Sequence, residues 1–288
     1  MKNHWLAVVV LLLVASAWGA TFTLVKHVLT LISPEPFIFL RFTTAGLVLL
    51  IMAIVARKLP RAALRPGIIL GALVFSGYWC QTRALMTISP SRSAFLTGLY
   101  VVMVPFCDRL LFARRIAAGA WLGSVIAAIG TTLLIGGIDA RAGFGDILTI
   151  AGAVCFAMHV VLSAKYSATT PALGLAAVQV LVVGLAAIPP SLFVPRPRMT
   201  TTVVVVILFT ALVTTALAFV ALMWGQARVT ATEAAIILAF EPIAAAITSI
   251  VFEHEPVTIG FVAGATMILG AMVLSQLRAR IPTWTPAG

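Results

Sequence analysis

Apolar residues run along this chain in blocks of about twenty, separated by short polar clusters, and inside the blocks there is no two-residue alternation. A membrane-crossing α-helix needs roughly 20 mostly apolar residues, whereas a barrel strand needs about 10 that alternate. The pattern predicts ten helical spans, at 5–25, 35–56, 67–87, 91–112, 117–137, 144–164, 172–193, 202–224, 231–252 and 257–277. The connections between them are too short to hold a soluble domain. The expected fold class is an all-α, polytopic membrane protein.

The blocks repeat. A shift of 140 residues sets Ser93-Ala94-Phe95-Leu96 over Glu233-Ala234-Ala235-Ile236 and Gly130-Thr131-Thr132 over Gly270-Ala271-Met272. Nearer the N-terminus a shift of 138 sets Trp18 over Phe156 and Arg41 over Gln179. Self-similarity between two apolar halves marks a duplicated carrier. Residues 1–140 and 141–288 are therefore expected to be two five-helix repeats. Five is odd, so the second repeat enters the bilayer in the opposite sense. Such inverted repeats supply two near-equivalent conformations and hence alternating access around a central cavity.

Composition agrees: 62% of residues are apolar and 9% charged, with a mean hydropathy of +1.15. The net charge of +11 does not signal nucleic-acid binding, because the cations sit in alternate connections. With the N-terminus inside, cytoplasmic loops hold Lys2, Arg57, Lys58, Arg61, Arg65, Arg109, Arg114, Arg115, Lys165, Arg228, Arg278 and Arg280, twelve in all. Outer loops hold six: Lys26, Arg83, Arg92, Arg141, Arg196 and Arg198. That bias predicts both termini in the cytoplasm. Lys2, the apolar run from Trp5 and Ala15-Ser16-Ala17 have the layout of a cleaved leader, but the run continues to Val25 and reads as the first span. Trp5 and Trp284 read as interface anchors.

Proline interrupts the fourth span at Pro105 and the ninth at Pro242. Each removes a backbone donor near mid-membrane, and paired breaks in corresponding spans point to a transport site. Around them lie the polar residues the bilayer tolerates. Glu241 precedes Pro242; a carboxylate at that depth costs about 2.5–3.5 kcal/mol and faces a cavity or a partner. It contacts substrate or protons, or it forms an ion pair with Arg41 or Arg228. Arg41 itself could meet Asp108, Glu241 or a substrate carboxylate. Thr97, Tyr100, Val104 and Asp108 share one helical face, and Tyr100 overlies Phe240 in the repeat. Tyr78, Gln81 and Trp224 lie in the third and eighth spans, Trp18 in the first. His159 on the sixth span either titrates with transport or is a hydrogen-bonded structural residue. Gly119-x-x-x-Gly123 and Gly260-x-x-x-Gly264 open the fifth and tenth spans as close-packing stripes, against each other or a second subunit.

Other chemistry is unsupported. Cys80, Cys107 and Cys155 fall in apolar spans without metal-ligand spacing and read as small core residues, so no metal or cofactor is expected. His4, His27, His159 and His254 lie in separate segments, with no metallopeptidase or hydrolase motif and no phosphate-binding loop. The chain is not expected to be an enzyme.

Ala17-Trp18-Gly19, Arg41-Phe42, Leu238-Ala239-Phe240-Glu241-Pro242 and the turn Phe252-Glu253-His254-Glu255 resemble the drug/metabolite transporter superfamily in its ten-helix EamA branch. The first-half turn departs from that pattern, reading Ala113-Arg114-Arg115 without an acidic residue, and no Glu-Pro accompanies Tyr100. The aromatic candidate lining resembles the aromatic amino-acid exporters of the YddG type. The resemblance implies a bacterial inner-membrane exporter with a central cavity formed mainly by spans 1, 3, 4, 6, 8 and 9. Trp18, Tyr78, Gln81, Thr97, Tyr100, His159, Trp224 and Phe240 are the candidate lining, with Arg41, Asp108 and Glu241 as charge-bearing candidates. Stacking faces with few hydrogen bonds suit apolar or aromatic amino acids and related metabolites. The alternative is proton-coupled export of lipophilic cations with Glu241 as counter-charge. The expected partners are a small-molecule substrate and membrane lipid, not nucleic acid, with the chain a monomer or homodimer.

Overall fold

A computed structural model describes residues 3–113, 118–134, 143–253 and 257–277. Of the residues named above, Lys2, Arg114, Arg115, Arg141, His254, Glu255, Arg278, Arg280 and Trp284 lie outside the described residues, as does the junction at 140–141. Among the described residues every regular element is helical. Eight helical runs are long and apolar enough to cross a membrane, and they fall on eight of the ten expected spans. Two shorter apolar stretches, Trp121–Leu133 and Val262–Ala271, occupy the places of the fifth and tenth.

The helices are α1 (His4–Val28), α2 (Pro34–Val55), α3 (Leu64–Ala84), α4 (Pro90–Gly98), α5 (Tyr100–Phe112), α6 (Ala118–Leu134) and α7 (Phe144–Ser167). They continue as α8 (Ala172–Ala186), α9 (Ile188–Ser191), α10 (Thr201–Ala211), α11 (Ala218–Gln226), α12 (Ala231–Leu238), α13 (Glu241–Glu253) and α14 (Ile259–Leu277). Between α10 and α11 the chain forms a π-helical segment, Leu212–Leu217. Starts follow local chemistry. Pro34 and Pro90 open α2 and α4, where a missing N–H is harmless. Thr230 and Glu233 cap α12 reciprocally.

The fourth span breaks at Leu99, between α4 and α5, and Pro105 lies inside α5. This corrects the expected break at Pro105. Proline strips the donor from the Val101 carbonyl and crowds the turn before it, while Gly98 is a poor helix former by roughly 1 kcal/mol. The break therefore settles at the glycine, with Val102 N–H reaching back only three residues, to Leu99 O at 3.1 Å. The ninth span breaks just before Glu241-Pro242, and Phe240 N–H reaches Ile237 O at 3.1 Å. The two interruptions meet: a Cβ on Gly98 would stand 3.2 Å from Pro242 Cγ.

In packing, α2 lies along α8 and α6 along α14, while α3 sits against both α7 and α8. α1 is wedged between α13 and α11. Lipid tails give helices no hydrophobic reason to associate, so small residues that permit close approach do much of the work. The α6–α14 contact is of this kind: Gly130 faces Gly264 O and Gly260 faces Leu133 O, with room for no Cβ. On α1, Gly19 lies against the Glu241 carbonyl and the α13 backbone, so this one glycine sets where Glu241 stands.

Gly19→Val forces α1 off α13, because a Cβ there would already lie 2.7 Å from Ala244 Cβ and 2.9 Å from Ala245 N. Overpacking of this sort costs about 1–3 kcal/mol. The expected outcome is a melting temperature in detergent several degrees lower, at about 2–4 °C per kcal/mol. Gly270→Ala, with nothing within 4 Å, is the control and should melt as the parent does.

Candidate functional site

The π-helical segment is where the site begins. Threonines on α10 and in the segment bond to the preceding turn: Thr210 Oγ1 donates to Val206 O (2.7 Å) and Thr214 Oγ1 to Thr210 O (3.1 Å). Such back-bonding loosens a helix, and a π-turn takes a carbonyl out of the regular ladder. The Thr214 carbonyl turns inward. It accepts from Trp18 Nε1 at 2.8 Å and from Arg41 Nη2 at 3.4 Å.

Arg41 is fixed by this segment. Its Nε donates to Thr215 Oγ1 at 2.8 Å and its Nη2 also to Thr214 Oγ1 at 3.2 Å. The guanidinium carbon lies 5.3 Å from the Phe42 and Tyr78 ring centroids and 5.9 Å from that of Phe37. A planar cation with a donor fork, ringed by aromatic faces, is what an arginine needs to sit inside a bilayer.

Beside it lies a narrow, half-open cleft. Its walls are Trp18, Thr21, Phe22 and Val25 of α1, Arg41 of α2, Tyr78, Gln81 and Thr82 of α3 with Leu85 just past its end, and Glu241 of α13. These residues occupy the half of the molecule where α1 ends and α2 begins. At that end the Lys26 ammonium donates to Leu85 O and Ile88 O, tying α1 to α3 at the rim. Arg83 pairs with Glu35 and Arg92 with Asp146, each at 2.6 Å. At the opposite end His4 meets Glu233 at 3.1 Å, and Lys165 stands 4.7 Å over the Phe112 ring.

Glu241 differs from every other acid in these contacts. Among the described residues it joins no ion pair and accepts no side-chain hydrogen bond, although it is 92% buried on the 8% exposure it retains. The alternative of an ion pair with Arg228 is closed, since that guanidinium stands over Trp224, 3.9 Å from its ring centroid, and donates to the Trp224 carbonyl. Arg41 is engaged by threonines rather than by a carboxylate. The cleft thus presents one clamped cation and one carboxyl group with no ion-pair or side-chain hydrogen-bond partner.

Of the expected lining, Trp18, Tyr78, Gln81, Arg41 and Glu241 come together in the cleft. Thr97 lies one layer behind, accepting from Gln81 Nε2 at 3.0 Å. Tyr100 is buried near the Glu241 carboxylate, and Phe240 forms the break beside it. Asp108 is buried on α5, away from the cleft wall. Trp224 caps the opposite end under Arg228. His159 belongs to a separate buried cluster with Gln179. Sequence reasoning missed Thr21, Phe22, Val25, Thr82 and Leu85 in the wall, and Thr214 and Thr215 behind it. The available signal was the Thr210-x-x-x-Thr214-Thr215 spacing in an otherwise aliphatic span.

A double-mutant cycle between Arg41→Lys and Thr215→Val tests the clamp. Lysine cannot reproduce a fork bonded to two adjacent residues, so each single variant should lose stability. Hydrogen bonds to a charged group contribute about 1.5–3 kcal/mol, and residues in direct contact couple non-additively. The double variant should melt no lower than Arg41→Lys alone; simple addition of the two losses would place Thr215 outside the clamp.

Comparison with known proteins agrees with this architecture. A profile of the EamA-like transporter family matches residues 5–136 and again 143–276. The chain is 30% identical over 271 residues to an uncharacterized transporter of Archaeoglobus fulgidus, covering 93% of this chain and 85% of that one. It is 26% identical over 294 residues to the uncharacterized transporter YyaM of Bacillus subtilis, covering 92% of each. A solved crystal structure superimposes with a TM-score of 0.77 over 95% of this chain and 97% of the other, at 19% identity, and shares the fold. An all-helical chain with eight membrane-length runs, matched along both halves by one family, is a multi-pass membrane transporter: it belongs to the EamA-like transporter family of the drug/metabolite transporter superfamily.

Proposed function

We propose that this protein exports amino acids, with apolar and aromatic ones favoured, and related metabolites. The observation that carries this reading is the cleft itself: the unpartnered Glu241 carboxylate and the Arg41 guanidinium line one space with the rings of Trp18 and Tyr78. A zwitterion with an aromatic side chain answers all three, its ammonium to Glu241, its carboxylate to Arg41 and its ring to the stacking faces. Stacking accepts many shapes, which fits a broad substrate range of the kind expected for exporters of the YddG type.

The transport cycle we infer is alternating access between two inverted five-helix repeats, 1–140 and 141–288, ten transmembrane helices in all. The helix pairings support it. Exchanging the halves leaves α2–α8 and α6–α14 each paired with itself, and turns the α3–α7 contact into α11–α1 and the α1–α13 contact into α7–α5. Pairings that survive exchange of the halves are what a two-fold repeat requires. The loop-charge bias favours both termini in the cytoplasm, and the plasma membrane (the inner membrane of a two-membrane bacterium) is the location that suits an exporter. The cleft then opens outward. Nothing in this cycle needs a cofactor or a metal, and a single chain contains the whole path.

A second reading has one specific observation in its favour. Arg41 already has its threonines, while Glu241 has no partner, so the cleft's unsatisfied need is for a cation. That need suits a lipophilic cation exchanged against protons on Glu241.

Proteoliposome flux of labelled phenylalanine, tryptophan and a lipophilic cation, with and without a pH gradient, separates the two. For an amino-acid exporter, Glu241→Gln and Arg41→Gln each raise KM for phenylalanine about tenfold to a hundredfold, the loss of one charge-assisted hydrogen bond. Flux without the gradient supports this reading. Flux of the cation alone, driven only by the gradient and abolished by Glu241→Gln, replaces it with the drug-export reading.

A further inference from the structure

A second polar cluster lies sealed below the cleft, toward the end of the molecule where α1 begins. His159 Nε2 donates to Gln179 Oε1 at 2.8 Å, and Ser163 Oγ stands 3.2 Å from the same nitrogen. Gln179 and Ser163 are fully buried and His159 nearly so. The Gln179 Nε2 atom is buried with no hydrogen-bond partner. An amide left unsatisfied in an interior costs about 1–3 kcal/mol, which packing alone would have selected against. Gln226, one face of α11 below Phe219, is buried with both its amide atoms unpartnered as well.

The 138-residue shift relates this cluster to the open cleft. It carries Trp18, Thr21, Val25 and Arg41, all cleft-lining, onto Phe156, His159, Ser163 and Gln179. The sealed cluster is therefore built from the same positions as the cleft, in the other half. Between the two stands Phe219, buried at the start of α11. Its ring centroid is 5.7 Å from Trp18, 6.4 Å from Phe42 and 6.3 Å from His159, touching both sites at once. Phe219 is the second residue past the π-helical segment, the irregular stretch of its span and the place where α11 can rotate without breaking a long ladder.

We propose that His159, Ser163 and Gln179 form a second binding station, the counterpart of the cleft, which takes the polar head group of an amino-acid-like substrate by neutral hydrogen bonds when Phe219 withdraws. This rests on the exporter reading above and adds to it that the substrate meets different chemistry on the two faces. In the cleft it meets fixed charges; here it meets an imidazole, an amide and a hydroxyl. The unpaired Gln179 amide is the donor that awaits the substrate carboxylate.

The test uses the full-length protein with Cys80, Cys107 and Cys155 replaced by alanine and Ser163→Cys introduced. A membrane-impermeant maleimide is applied to oriented proteoliposomes from either face. With Phe219 in place the station predicts labelling only from the face where α1 begins, slowed by phenylalanine, and Phe219→Ala, which removes the ring between cluster and cleft, should add labelling from the cleft face at least tenfold above that of the parent. Labelling from the cleft face while Phe219 is present overturns the proposal. So does a cysteine that stays unreactive from both faces in a monodisperse Phe219→Ala protein. In flux, Gln179→Ala should raise KM from the α1-start face about tenfold relative to KM from the cleft face; an equal change at both faces means a structural role and overturns it. A wild-type protein that moves no amino acid defeats the exporter reading, whereas the labelling needs no substrate and still decides whether the cluster opens.

Discussion

The architecture turns on the burial of one guanidinium. Arg41 sits seven residues into α2, at a depth where an unpartnered cation is costly on any insertion scale. What makes it tolerable is a second irregularity: the π-helical segment Leu212–Leu217, which presents the Thr214 carbonyl and two hydroxyls to the fork. Each defect satisfies the other. A freed carbonyl in hydrocarbon needs a donor, and a buried arginine needs acceptors. The same carbonyl takes Trp18 Nε1, and the same guanidinium lies over Tyr78, so α1, α2, α3 and the eighth span are registered at a single point. The shape of the cleft follows from that registration.

Much of the architecture was legible in the chain because hydrocarbon imposes a simple rule: about twenty apolar residues per crossing. The helical runs fall where that rule put them, and Arg41 and Glu241 stood out as ionisable groups inside apolar blocks. The threonines were illegible for a physical reason. Thr210 and Thr214 bond to the turn behind them, so in sequence they pass for residues that satisfy themselves, and their effect on the helix lies in a register change that no composition reveals. Trp224 misled in the opposite way. Its ring lies under Arg228 at the end of α11, because an amphipathic aromatic near a span terminus serves the interface as readily as a cavity. Thr97 was close but rotated: one residue of error turns a side chain by about 100°, enough to move it from the wall to the layer behind, where it accepts from Gln81.

The glycine pattern carries a separate lesson. Gly119, Gly123, Gly260 and Gly264 predicted a close-packed pair, and α6 and α14 do pack on each other through Gly130, Gly260 and Gly264. Gly130 had been valued only as a marker of the repeat. Gly19 carries more weight than any of these. It stands beside Trp18 in the sequence, yet its role is set by α13, more than two hundred residues away. Where the chain needs two backbones in contact, the informative residue is the one that lacks a side chain, and its partner has to be found in space.

The contact between Gly98 and Pro242 binds the histories of the two halves. The interruptions in the fourth and ninth spans touch each other, so the space available to one is bounded by the other. A side chain at 98 is crowded while proline stands at 242, since its Cβ would lie 3.2 Å from Pro242 Cγ, and a substitution at 242 changes what position 98 can hold. The two positions are therefore expected to have drifted as a pair through evolution. Arg41 on α2 and Gln179 on α8 differ in charge without touching this constraint, which is one of space alone.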